Sequence, residues 1–183
     1  MRFNKKFLCF KADTPPVSDC SELYRLGITQ EGFYAVDPTG DRDNDKLATV
    51  YCKDGWTTLL NRHHDPNNFA LPWRSKHDYE YGVGLLGERE FFSGLRFFKK
   101  FTERATYKMK IGLWSKDTGH YGEVQYDQVL LGTADRGFPL KVFGYSSEPS
   151  WRVLDSLYLA NFSQFTFDTP DSPCSRLHSS SNW

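Results

Sequence analysis

The chain has 183 residues, 39% of them hydrophobic and 16% aromatic, with 23 basic side chains against 23 acidic ones. That length supports one domain, divided at most into lobes, with a proper core. The balanced charge argues against nucleic acid and anionic membrane as partners held by general charge neutralisation, and no apolar run approaches the roughly 18 residues of a membrane-spanning helix.

The chain opens with Arg2, Lys5 and Lys6, a basic start like that of a signal peptide, but the apolar run from Phe7 to Phe10 is broken by Lys11. A secretory core needs about 7–15 apolar residues, so no intact signal is present. "ADTPPVSDC" is an extended lead-in, because consecutive prolines exclude helix. "SELYRLG" predicts a helical turn capped by Gly27. "GFYAV" and "LATVYC", rich in aromatic and β-branched residues, predict two strands, and "WTTLLNR" a third. "HHDPNNFALPWRSKHDYEYG" is read as irregular. "EFFSGLRFFKKFT" is the best helix candidate, with Leu95, Phe98 and Phe101 on one face and Gly94 at its start. "TYKMKIGLW" is the clearest strand: Tyr107, Met109, Ile111 and Leu113 alternate with Lys108, Lys110 and Gly112. "GEVQYDQVLLG" and "FPLKVFGYS" follow as strands joined by the turn "TADRG". The expected fold class is α+β, an antiparallel sheet with one or two helices on it.

Few residues point to chemistry. Asp41, Asp43 and Asp45 alternate like the start of a calcium loop. As an EF-hand the stretch fails, because Lys46 stands where the turn glycine belongs and Cys52 where a bidentate Glu belongs. A solvated turn is the expectation there. His63, His64 and Asp65, with His77 further on, suggest a metal site. Adjacent strand residues point to opposite faces, however, so these are read as exposed histidines. No GxSxG, HExxH or phosphate-binding glycine loop is present, and the chain is read as a non-enzyme. Arg96, Lys99, Lys100 and Arg104 form a basic helix face, read as solvated, with anionic glycans as the alternative ligand. Asn161 opens an "NFS" glycosylation sequon, meaningful on export. Cys9, Cys20, Cys52 and Cys174 lack metal-site spacing, and their pairing stays open, unpaired cytosolic thiols included.

In order along the chain, "DCSELYRLG", "GFYAV", "VYC" and "GWTTLLNRH" resemble the fibrinogen-related domain, the C-terminal module of fibrinogen chains, ficolins, tachylectins, tenascins and angiopoietins. "NNFALPWRSKHDYEYGVGLLGEREFFSGLRFF", "YDQVLLG" and "FPLKVFGYS" continue the resemblance, which runs from about Asp19 to about Asp171. It implies an extension over 1–18 and a fibrinogen-related domain over 19–183. Within the domain it implies a small N-terminal lobe (about 19–64), a central twisted antiparallel sheet with packed helices (about 65–160) and a reduced C-terminal lobe (about 161–183). It also implies secretion, a disulfide between Cys20 and Cys52, and recognition of glycans or protein receptors. The implied role is a lectin-like module of innate recognition, or else a protein–protein ligand module of angiopoietin or tenascin kind, or a truncated product without binding.

The family's calcium loop corresponds to "FTFDTPDSPC". Asp168 keeps one carboxylate, Pro170 and Ser172 replace two others, and Asp171 compensates only with a shifted register. This makes a weak calcium site or none, so no cofactor is expected. The aromatic segment that follows in the family is reduced to "CSRLHSSSNW", which leaves the C-terminus truncated or divergent. With no oligomerising segment expected upstream, the chain is read as a monomer unless Cys9 or Cys174 bridges two copies.

Overall fold

Asp19 starts the first helix. Its Oδ1 accepts the Glu22 N–H at 2.9 Å, and the Glu22 carboxylate accepts the Ser18 N–H at 2.8 Å. This reciprocal cap opens α1 (Cys20–Arg25). Gly27, at φ 86°, closes it, its N–H donating to the Tyr24 carbonyl at 3.0 Å. The structure is a computed structural model that describes residues 16–42, 44–62, 76–88, 90–114, 118–147 and 164–165. The chain divides into two compact units, residues 1–104 and 105–183.

In the first unit, β1 (Gly32–Val36), β2 (Ala48–Lys53) and β3 (Trp56–Thr58) form an antiparallel sheet in that order. Asp54 and Gly55, at φ 50° and 78°, make the two-residue turn from β2 to β3, whose left-handed residues match the twist of a hairpin. A disulfide joins Cys20 of α1 to Cys52 of β2, with Cα atoms 5.5 Å apart, and both cysteines are buried.

β4 (Leu60–Asn61), α2 (Lys76–Tyr81), β5 (Val83–Gly84) and β6 (Phe91–Phe92) follow, and a second sheet runs β4-β6-β5. Two expectations change here. "WTTLLNR" is two strands in two sheets, because the chain leaves β2 after Thr58 and pairs Leu60 with Phe92. Phe91 and Phe92, ahead of the helix, form a short strand, and Gly94, at φ 93°, sets where the helix begins, as expected. Within the stretch read as irregular lies α2, which Gly82 ends at φ 97° with its N–H on the Asp78 carbonyl at 2.8 Å.

The last helix of this unit, α3 (Leu95–Arg104), buries Leu95, Phe98 and Phe101, the face that the spacing predicts. Burying an aliphatic or aromatic side chain contributes about 1.5–3 kcal/mol, so these three fix the helix on its unit far more firmly than its propensity does.

The second unit is a four-stranded antiparallel sheet of β7 (Tyr107–Trp114), β8 (Tyr121–Leu131), β9 (Leu140–Ser147) and β10 (Gln164–Phe165), ordered β10-β9-β8-β7. Val124, Tyr126 and Val129 of β8 and Val142 of β9 are buried. The inner face of β8 alternates through Val124 and Tyr126, shifts phase where the pairing with β7 changes register between Tyr107 and Met109, and alternates again through Val129 and Leu131. The fold is α+β, as expected. Asp43, His63, His64, Asp65, Asn161, Asp168, Asp171, Cys9 and Cys174 lie outside the described residues.

Candidate functional site

Most of the described candidates are engaged within the chain. Asp41, after the β1 strand, holds Lys46 at 2.5 Å, and this ammonium lowers the Asp41 carboxyl below its ordinary range through a hydrogen bond and its charge. The cation position beside Asp41 thus has an occupant. His77 stacks on Tyr81 with ring centroids 4.6 Å apart. Among the described residues, no three His, Cys, Asp or Glu side chains converge as metal ligands.

The basic face of α3 is also largely neutralised. Arg96 reaches Glu80 at 2.8 Å, Lys99 reaches Glu103 at 3.4 Å, and Arg104 reaches Asp19 at 2.5 Å. Lys100 is exposed. Three of the four cations serve the fold or the helix surface, which leaves little charge for an anionic ligand.

A different surface carries exposed aromatic rings. On the solvent face of the β7–β8 hairpin, cross-strand ion pairs run toward the hairpin end: Lys108 with Asp127 at 3.1 Å, then Lys110 with Glu123 at 3.4 Å. Next comes Gly112, and a Cβ added there would stand 2.5 Å from the Tyr121 hydroxyl. The missing side chain lets the Tyr121 ring lie across the strand. The hydroxyl donates to Glu123 at 2.9 Å. Burial first, and the Glu123 carboxylate second, raise the Tyr121 phenol above its ordinary value. Trp114 pairs directly with Tyr121 in the strand register, and the ring centroids are 6.0 Å apart at 44°.

Both rings face water, Trp114 at 70% exposure and Tyr121 at 50%. The ion pair, the glycine and the hydroxyl contact fix Tyr121 before any ligand arrives. The sequence contains the signal for this surface: Trp114 falls in the phase of the strand otherwise held by Lys108, Lys110 and Gly112, where a large apolar ring has no structural use.

Comparison with known proteins places the chain in a family. Residues 17–183 match the family described as the fibrinogen beta and gamma chains, C-terminal globular domain. The chain is 28% identical to Angiopoietin-4 of Homo sapiens over 158 residues, 85% of this chain and 30% of that protein. It is 32% identical to Tenascin of Mus musculus over 133 residues, 70% of this chain and 6% of that protein. The chain thus spans less than a third of these relatives. Among solved structures, the fibrinogen-like globe domain of human ANGPTL6 superposes with a TM-score of 0.72 at 21% identity, over 93% of this chain and 76% of that one. Lamprey fibrin D-dimer, complexed with the peptide ligand Gly-His-Arg-Pro-amide, gives 0.69 at 18% identity over 96% and 61%. The chain belongs to the fibrinogen C-terminal globular domain family.

Proposed function

We propose that this chain is an extracellular, non-catalytic recognition module that binds a protein partner through the solvent face of β7–β8, with Trp114 and Tyr121 as anchors. The observation that carries this reading is the preorganised, water-facing ring pair. Trp and Tyr are enriched among the few residues that dominate binding energy at protein interfaces, and exposed aromatic surface rimmed by charge marks contact sites. Similarity to Angiopoietin-4, Tenascin and Fibrinogen-like protein 1 supports a protein ligand. The buried disulfide supports an oxidising compartment. A second reading, glycan recognition, draws on the same surface, because Glu123 and Lys110 stand beside the rings as acceptor and donor.

The test is a binding screen of the purified chain against an array of receptor ectodomains and, separately, a glycan array. The protein reading expects a saturable ectodomain interaction that Trp114→Ser weakens at least tenfold. Gly112→Val, which displaces Tyr121 while leaving both rings in the sequence, should weaken it as well. Saturable glycan binding with no ectodomain interaction would replace this reading by the second.

A further inference from the structure

The first unit contains a slot of about 380 Å³, within the roughly 300–1,000 Å³ range of ligand sites. Two strand edges line it. On one side are Ala48 and Thr49 of β2, on the other Val83 and Gly84 of β5, and Phe91 and Phe97 complete the wall. β2 pairs with β1 along Ala48–Cys52, but with β3 only along Tyr51–Lys53. Among the described residues, the start of β2 therefore has a strand on one side and none on the other. In the same way, β5 pairs with β6 alone.

Ladder alternation fixes the direction of the backbone. The two-residue turn makes Lys53 and Trp56 a hydrogen-bonded pair, so Tyr51 also points its N–H and C=O toward β3. Thr49, two residues earlier, points its own pair to the same side, where β3 has ended. An open edge of this kind is a template for a further strand. None of the described residues lining the slot is charged, and an occupant uncharged along the slot complements them. Tyr81, which also lines it, is held by His77 and by Arg96, whose guanidinium carbon sits 5.0 Å from the ring centroid. The wall is thus set in place in advance.

We infer that this slot takes an uncharged, extended peptide segment of a partner protein, added as a strand on the edge of β2 that no described strand covers. The site lies in the other unit from Trp114 and Tyr121 and goes beyond the reading given above. It does not depend on that surface.

The test is an NMR titration of the full chain, isotope-labelled, with acetyl-Ala-Val-Thr-Val-Ala-amide and with the same peptide N-methylated at alternate residues. The expected result is saturable shift changes centred on the Thr49 and Gly84 amides, with the N-methylated peptide at least tenfold weaker. Thr49 is exposed, so Thr49→Trp is accommodated by the fold while its ring fills the slot and should abolish the changes. Absence of shifts at millimolar peptide, shifts centred elsewhere, equal binding of the N-methylated peptide, or undiminished binding by Thr49→Trp each overturns the inference. The titration reads amides of the first unit and the ectodomain screen reads variants of the second, so either proposal fails without the other.

Discussion

Arg104 reaches Asp19 by crossing a glycine. A Cβ on Gly40 would come within 2.5 Å of the Arg104 side chain, and Gly40 itself sits at φ 76°. The turn that holds this glycine is built by Asp37, fully buried, whose carboxylate accepts the Thr39 N–H at 2.9 Å and hydroxyl at 2.6 Å. Asp19 is 4% exposed, caps α1 through Glu22, and takes the Arg104 guanidinium on its other oxygen. Removing one partner of a buried pair is more costly than the pair's net worth, because the remaining charge loses its counter-ion. Arg104→Ala should therefore lower unfolding stability by about 2–4 kcal/mol, read from urea denaturation. Asp19→Asn should cost less in the Arg104→Ala background than alone. A second residue-scale prediction concerns Tyr51. Burial first, then its hydrogen bond to the Glu31 carboxylate, push the phenol from 10.0 up to about 12. The unfolded chain gives up this proton near pH 10, while the folded chain keeps it to about pH 12. The contribution to stability is complete below pH 10 and lost as pH rises across that window. Alkaline titration of phenolate absorbance should show a late-titrating tyrosine near pH 12, missing in Tyr51→Phe and earlier in Glu31→Gln.

At the scale of elements, the parts legible in the sequence are those with a single dominant period. Leu95, Phe98 and Phe101 specify α3, and β8 follows a two-residue rhythm on either side of one register shift, because each has one face in a core. The parts read wrongly are short. α2 has six residues and β6 two, too few for periodicity to outweigh local ambiguity. A glycine carried the missing signal for α2, which Gly82 closes at positive φ, whereas Gly94, read from the sequence as the start of α3, does open it, also at positive φ. The break at Leu59 had no local signal, since the change of sheet is set by Phe91 and Phe92, some thirty residues away (Leu60 pairs with Phe92). Of the candidate site, the basic face was visible as charge, but the carboxylates that neutralise it come from α1 and α2 as well as from α3 itself, and spacing alone does not bring them together. The disulfide joins elements that share few other ties. With a sequence separation of 32, its removal in Cys20→Ala/Cys52→Ala should cost about 3–4 kcal/mol in the chain-entropy model, measured by chemical denaturation of the folded variant beside the parent. A loss under 1 kcal/mol would mean that the unfolded chain already holds α1 near β2.

Over the whole molecule, family membership and ligand chemistry separate. The match over residues 17–183 establishes the domain, but a fold hosts many ligands, and the ligand follows from the site. The resemblance carries an expectation of glycan recognition, and places the family's calcium at the C-terminal loop. There the sequence offers Asp168 and Asp171 where the family has more carboxylates, with Pro170 between them. Calcium takes six to eight oxygen ligands, and its affinity falls as carboxylates are withdrawn. The second aspartate cluster does not replace them, because Asp41 is committed to Lys46 and displacing that ammonium opposes ion binding. A sugar, for its part, needs a cleft that buries most of its surface, and a loop short of carboxylates lacks the ion that would order one. The expected outcome is a melting temperature unchanged within about a degree by millimolar calcium, in the parent chain and in Asp41→Asn/Asp43→Asn/Asp45→Asn alike. Calorimetric titration with N-acetylglucosamine should give no heat of binding, with calcium or with a chelator. Sub-millimolar affinity that disappears on chelation or in Asp168→Ala would restore the sugar site to the C-terminal loop. Sugar binding indifferent to chelation but lost in Trp114→Ser would instead move it to the β7–β8 face.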